Sequence, residues 1–342
     1  MVTMRDVAAR AGVSQATVSY AMHNDPSISG KTRDKVLRAA RELDYSANLS
    51  ARSLRSGKSG AIGLVVQELS NPYSSHLADA ISRYALSRGM QTITQQTLYQ
   101  GENETSILEH VVSAFCDAVI FSPSELSGAQ IKALLNGKPA MLLAPTDQHP
   151  GFDTIDTPCK EGFFTSTSYL LSTGCTKPVF LGTSCFHNTR DRFSNASAVQ
   201  RATGFELALR RNGLPAGADR FIETKGWNME DSRQAMLRVL DHGLEFDAVV
   251  CVNDLSALGA MRALQERGIR IPEDVSVMGF DGIEQGCYTT PSLSTISFDF
   301  DDMARQIVDT LVLRINGNKT MRPQRLVAGY SLTVRESTRA RR

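Results

Sequence analysis

The chain has 342 residues, 42% of them hydrophobic and 21% charged, with six cysteines and a formal net charge of +1. That size and balance suit a soluble globular protein of two or three domains and exclude a fibrous, disordered or disulfide-stapled chain. The near-neutral total conceals an asymmetry: residues 1–60 carry ten Lys/Arg against five Asp/Glu, and the rest of the chain carries 27 against 31. A small basic end on a mildly acidic body points either to a polyanion-binding module beside one with another task, or to a slightly basic, solvated helical end.

Thr3 followed by Asp6 reads as a capping box with Asp in place of the usual Glu or Gln. Val7, Ala8 and Ala11 then give an apolar stripe at helical spacing, and Gly12 stops the helix as a left-handed C-cap. Ser14 is placed to cap a second helix from about Gln15 to His23, with Val18 and Ala21 facing inward. After the loop from Asn24 to Ile28, Ser29 caps a third helix whose buried stripe is Val36, Ala40 and Leu43. Two short helices joined by Ala11-Gly12-Val13-Ser14 form a helix-turn-helix pattern, in which the second helix enters the major groove of DNA. Residues 48–56, opened by Asn48, predict a further helix of about two turns, too short to persist alone.

Ser56-Gly57-Lys58-Ser59-Gly60 has the composition of a flexible linker. It is not a phosphate loop, because Arg52 stands where the first glycine is required and no strand precedes it. From residue 61 short apolar runs alternate with helical stretches. Strands are predicted at Ile62–Val66, Met90–Thr94, Ala118–Phe121, Ala140–Leu143, Val179–Leu181, Ala248–Val252 and Val275–Phe280. The alternation predicts parallel sheets covered by helices, and the count of runs favours two Rossmann-like halves over one sheet.

Catalytic signatures are missing. There is no GxGxxG after a strand, no HExxH and no GxSxG, and Gly182-Thr183-Ser184-Cys185 lacks the second glycine of a nucleophile elbow. The histidines show no metal-ligand spacing and the cysteines form no CxxC pair, so neither a metal, a cofactor nor an enzyme is expected. Arg5, Asp6 and Arg10 interrupt any signal peptide, and no run approaches the ~20 apolar residues of a membrane span. The expected location is therefore the cytoplasm, with reduced thiols and no membrane partner.

Met4-Arg5-Asp6-Val7-Ala8, Ala11-Gly12-Val13-Ser14, Thr17-Val18-Ser19, Asn24, Thr32-Arg33 and Leu43-Asp44-Tyr45 resemble the lactose/galactose-repressor (LacI/GalR) family. So do Asn71-Pro72-Tyr73, Arg201-x-x-Gly204-Phe205, Asn253-Asp254, the run from Ile271 to Asp281, Leu293-Ser294-Thr295-Ile296 and Arg335-x-Ser337-Thr338 in the body. The resemblance implies a transcriptional repressor that binds pseudo-palindromic operator DNA as a homodimer and responds to a small-molecule effector, expected to be a sugar. Without leucine heptads after Thr338, a coiled-coil tetramer is not expected. The rival reading is an α/β sugar-binding or sugar-converting protein without a DNA role.

The resemblance also implies residue roles. Gln15, Ala16 and Tyr20 would meet base edges, although many relatives carry Arg where Tyr20 stands. Thr3, Ser14, Thr17, Ser19 and Asn24 join the DNA-contacting set, with the hydroxyls of Ser14, Thr17 and Ser19 suited either to phosphates or to capping. Asn48, Ala51, Arg52, Leu54 and Arg55 belong to a hinge helix formed on operator DNA. Leu54 is its minor-groove wedge, or alternatively packs on the body. Ser46-Ala47 stands where relatives often carry a proline.

In the body, Tyr73, Arg201, Trp227, Asn253 and Asp281 are expected to line the effector pocket of two lobes resembling periplasmic sugar-binding proteins. Each has a plainer alternative: Asn253 and Asp281 as helix caps, Trp227 as core, Arg201 as an ion-pair partner and Tyr73 as packing. Ala144-Pro145 replaces an Asp frequent in relatives, leaving Asp147 or Asp156 as substitutes. The expected division is residues 1–47 for the helix-turn-helix head and 48–60 for hinge and linker. The effector and dimerisation body spans 61–342, with one lobe from 61–158 and 289–321 and the other from 159–288 and 322–342. The chain would cross between lobes near 158, 288 and 322.

Overall fold

The structure is a computed structural model that describes residues 2–22, 25–45, 58–143, 151–182, 196–317 and 321–340. The chain divides into two units, Met1–Gly60 and Ala61–Arg342.

In the first unit, helix α1 (Met4–Ala11) begins at the capping box read from the sequence. The Thr3 N–H donates to Asp6 Oδ2 at 2.8 Å, and the Asp6 N–H donates back to Thr3 Oγ1 at 3.4 Å. Bonds from the Thr3 hydroxyl and N–H hold the Asp6 carboxyl below its ordinary range. Gly12, at φ 59°, ends the helix in the left-handed region that a side chain disfavours. Helix α2 (Gln15–Met22) starts where the Thr17 N–H donates to Ser14 Oγ at 3.1 Å. Helix α3 (Gly30–Glu42) starts where Thr32 donates to Ser29 Oγ at 3.3 Å. Val7, Ala8, Ala11, Val18, Ala21, Val36, Ala39 and Ala40 meet in one small core, with Leu43 packed against it. Small side chains let three short helices approach closely. The expected hinge residues Asn48, Ala51, Arg52, Leu54 and Arg55, together with His23 and Asn24, lie outside the described residues.

Among the described residues, the second unit holds two six-stranded sheets. The first contains β1 (Ala61–Val66), β2 (Gln91–Gln96), β3 (Ala118–Phe121), β4 (Ala140–Leu143), β5 (Asp153–Asp156) and β11 (Arg325–Val327). Its order is β11-β5-β4-β3-β1-β2, with every neighbour parallel. The second contains β6 (Pro178–Gly182), β7 (Phe221–Glu223), β8 (Ala248–Cys251), β9 (Ser276–Asp281), β10 (Ser294–Phe298) and β12 (Tyr330–Thr333). Its order is β12-β10-β9-β8-β6-β7, and only the β10–β12 pairing is antiparallel. Central strands such as β1, β3 and β8 are buried at every residue, as parallel strands with covered faces must be.

The sheet pairing corrects the expected lobe limits. The chain passes from the first sheet to the second at 157–158, returns at 299 and passes back at 328–329, so the last two crossings lie later than 288 and 322. Ser294-Thr295-Ile296 pairs in register with β9 and so belongs to the second lobe, whereas Arg325–Val327 pairs with β5 in the first. Neither segment is an apolar run, and the sheet each joins is decided by partners far away in sequence.

One buried ion pair fixes the segment that leads into β11. Arg314, near the end of helix Phe300–Ile315, donates to both carboxylate oxygens of Asp153 at 2.8 and 2.7 Å and to the carbonyl of Arg322 at 2.9 Å. Asp153 also accepts from the Gln324 N–H at 2.7 Å. Among the described residues, no helix is long and apolar enough to cross a membrane.

Candidate functional site

The first candidate surface is the outer face of α2. Gln15, Ala16 and Tyr20 are exposed, the last at 50%, while Val18 and Ala21 on the opposite side are buried. The fold therefore presents the three expected base readers together. Ser14 and Thr17 are tied into the helix cap, their hydroxyls 2.9 Å apart, which uses one of their two hydroxyl protons and leaves the other for a phosphate. Ser19 is partly buried on the same helix. Thr3 is likewise engaged, in the α1 cap.

The second candidate is a polar cluster beyond the carboxyl ends of the body's strands, the place where open α/β sheets bind ligands. Asp281 is the last residue of β9, Asn253 follows β8, Trp227 follows β7 and Tyr73 lies beyond β1. Arg201 reaches in from helix Ala196–Arg211. All five expected pocket residues meet here.

Arg201 is 8% exposed, and its guanidinium lies over the rings of Phe280, Trp227 and Phe163 at 4.6, 5.0 and 5.9 Å. Such a cage holds a cation by ring electrostatics while stripping its water. Arg201 Nη1 donates to the Val252 carbonyl, but its buried Nε–H has no hydrogen-bond partner among the described residues. Asp281 is 5% exposed, and no hydrogen bond reaches its carboxylate among the described residues. Burial pushes that carboxyl well above its ordinary range; Arg201 opposes the shift and Asp254 adds to it. Tyr73 is partly buried, with its hydroxyl 3.3 Å from Thr157 Oγ1 and its ring edge-on to Phe300 and Phe298 at 5.4 and 6.1 Å. Burial raises the Tyr73 hydroxyl above its usual pKa, against the bond to Thr157.

Asn253 is a helix cap as well as a member of the cluster. Its Oδ1 accepts from the Ser256 N–H at 2.8 Å, capping helix Asp254–Glu266, and its Nδ2 donates to the Trp227 carbonyl at 3.0 Å. The alternative reading of a cap is realised, and it is compatible with a ligand contact, because each amide atom can make a second hydrogen bond. Trp227 packs against the core cluster, as its plainer alternative has it, and its ring also lies under the Arg201 guanidinium.

Sequence reasoning missed Thr157, Cys159 and Asp254 as members of the cluster. Thr157 and Cys159 sit at the first crossover, and the buried Cys159 thiol, raised by burial, lies beside Arg201, whose charge opposes that shift. Only the Asn253-Asp254 pair gave a signal, and it was read for its first member. Ala144, Pro145 and Asp147 lie outside the described residues. Asp156 ends β5, next to Thr157. Among the described residues, no group of three or more His, Cys, Asp or Glu could hold a metal ion.

The chain matches two family models: bacterial regulatory proteins of the lacI family over residues 3–48, and a periplasmic binding protein-like domain over residues 167–338. It is 30% identical over 328 residues to the HTH-type transcriptional regulator AscG of Escherichia coli K12, covering 95% of each chain. Among solved structures it resembles the lac repressor dimer bound to operator and the anti-inducer ONPF, at 29% identity and a TM-score of 0.83 over 99% of both chains. It also resembles the transcriptional regulator CelR in complex with cellobiose, at 25% identity and a TM-score of 0.71, over 98% of this chain and 100% of the other.

Proposed function

Because the chain belongs to the LacI family of bacterial regulatory proteins, we propose that it is a cytoplasmic repressor gripping a two-fold operator as a homodimer, with a sugar between its lobes controlling that grip. One head covers too little DNA for a specific site, so two heads on a pseudo-palindrome are required. Gln15 bridges an adenine edge, Ala16 meets a thymine methyl and Tyr20 supplies a third contact. Thr3, Ser14, Thr17, Ser19 and Asn24 steady the head on the backbone. Asn48, Ala51, Arg52 and Arg55 frame the hinge, from which Leu54 enters the minor groove.

The observation that carries the effector reading is the pair of open valences beside Trp227. The Arg201 Nε–H and the Asp281 carboxylate are both buried and both unbonded among the described residues. A sugar hydroxyl can accept from the first while another donates to the second, and the indole covers the carbon face of the ring. Tyr73 closes the site from the first lobe. The lac repressor and CelR structures hold ONPF and cellobiose on the same scaffold. A ligand changes operator affinity only by binding one lobe arrangement better than the other.

The test is selection of duplexes from a random pool by the full-length protein, followed by titration of the selected complex with cellobiose and a panel of other sugars. A palindromic site should emerge, and one sugar should shift its affinity while being recovered unchanged. Lack of preference for any duplex over random competitor would refute the repressor reading. Conversion of the sugar would favour the enzyme.

A further inference from the structure

We propose that Asp254 is the positioning residue of the effector cluster: it holds the strained turn that presents Asp281 and ties it to the helix start that holds Trp227. The inference rests on the reading of that cluster as the effector site, and it concerns a residue outside the ligand-contacting set.

Asp254 is fully buried at the first position of helix Asp254–Glu266, where the helix dipole favours a carboxylate. Its Oδ2 accepts from the Ile283 N–H at 2.8 Å, its Oδ1 accepts from Thr295 Oγ1 at 2.7 Å, and the Gly282 N–H dipole beside it favours the charged carboxylate. One side chain thus joins the helix after β8, the turn after β9 and the strand β10. These donors are what allow a charge there, although burial still pushes the carboxyl up to about 6.

The turn so held is strained. Asp281 has φ 122° and Gly282 φ 75°. A non-glycine residue in that region persists only where its surroundings over-determine it. The amide of Ile283, two residues after Asp281, is fastened to Asp254, with Gly282 between them. The backbone has made room for the contact as well: a methyl group at Gly279, within β9, would overlap Asp254 Oδ1. On its other side Asp254 adjoins Asn253, whose amide holds the Trp227 carbonyl at 3.0 Å. Both polar walls around Arg201 therefore depend on one buried carboxylate.

Asparagine can keep this geometry. Its carbonyl replaces Oδ2, and its amide donates to Thr295 Oγ1, whose own proton turns to the Ile296 carbonyl 3.1 Å away. Alanine cannot. Trp227 is the only tryptophan, so acrylamide quenching of the full-length protein reports the cluster without any ligand. Asp254→Ala should roughly double the quenching constant, Asp254→Asn should leave it at the wild-type value, and Thr295→Val should fall between them. Glu104→Gln is the control for lost stability. Glu104 is a buried carboxylate of the first lobe that accepts from the N–H groups of Ser124 and Leu126 at 2.6 and 3.0 Å, and its loss should lower the melting temperature without moving Trp227.

Wild-type quenching in Asp254→Ala, or in Thr295→Val should the alanine variant not fold, overturns the proposal. So does a Glu104→Gln protein quenched like Asp254→Ala, and so does failure of Asp254→Asn to rescue. Cellobiose titrated into the same proteins should lose roughly tenfold in affinity with Asp254→Ala and little with Asp254→Asn. If wild-type protein binds no sugar of the panel, the effector reading falls, and the quenching series still decides the role of Asp254.

Discussion

The amide of Asn253 donates to the backbone carbonyl of Trp227 at 3.0 Å while capping its own helix through Ser256. Replacing it with Ala removes an N-cap and leaves a carbonyl without its donor, at a cost of about 1–2 kcal/mol. Asn253→Ala should melt at lower temperature by calorimetry, and its Trp227 emission should move to the red. An unchanged spectrum would mean that the indole is held by packing alone.

Asp281→Ala removes a buried carboxyl that faces Arg201 and, among the described residues, has no hydrogen bond of its own. The head is a separate unit with its own core. The variant should keep operator affinity and lose the response to sugar in a gel-shift titration. Normal induction would take Asp281 out of the pocket.

Gln15 is exposed at the start of α2 and makes no contribution to the head core. Gln15→Ala should weaken specific DNA binding by about 1–3 kcal/mol and relax selectivity at one base pair. Leu54→Ala should weaken specific binding far more than nonspecific binding, because only a fully formed hinge uses a wedge. Equal losses on both kinds of DNA would refute that role.

The Arg314–Asp153 pair is 12% and 5% exposed and is bidentate. Asp153→Ala leaves a buried guanidinium uncompensated and should cost about 3–5 kcal/mol in denaturant unfolding. Because the pair fastens residues 322–324 beside β5, limited proteolysis should begin there.

The Asp254 carboxyl is raised from 3.8 to about 6 by burial. A group that binds its proton more tightly folded than unfolded favours folding at low pH. That contribution is complete below about pH 4, declines as pH rises toward 6 and is constant above. Asp281 acts with the same sign, so the comparison is a difference between proteins. The stability of wild-type protein relative to Asp254→Asn should fall by about 2 kcal/mol between pH 4 and pH 6.5. A flat difference would mean that Asp254 titrates at its ordinary value.

The head was legible in the sequence almost to the residue. Thr3, Asp6, Gly12, Ser14 and Ser29 act within three or four residues of themselves, and a cap or a left-handed turn is set by those neighbours alone. Most body strands were legible for the same reason, since an apolar run announces burial. The residues that converge on the cluster were readable too, because each follows a strand or opens a helix.

The tertiary structure alone decided what those residues do. It assigned Ser294–Phe298 to the second sheet and Arg325–Val327 to the first, which moved two crossings, because sheet membership is chosen by partners from distant parts of the chain. It enclosed Arg201 in rings from three separate elements, turned Asn253 inward as a brace and drew Thr157, Cys159 and Asp254 into the cluster. Spacing along a sequence fixes which face a side chain occupies. Only packing fixes which of its hydrogen bonds are already taken, and the bonds left open are those a ligand can use.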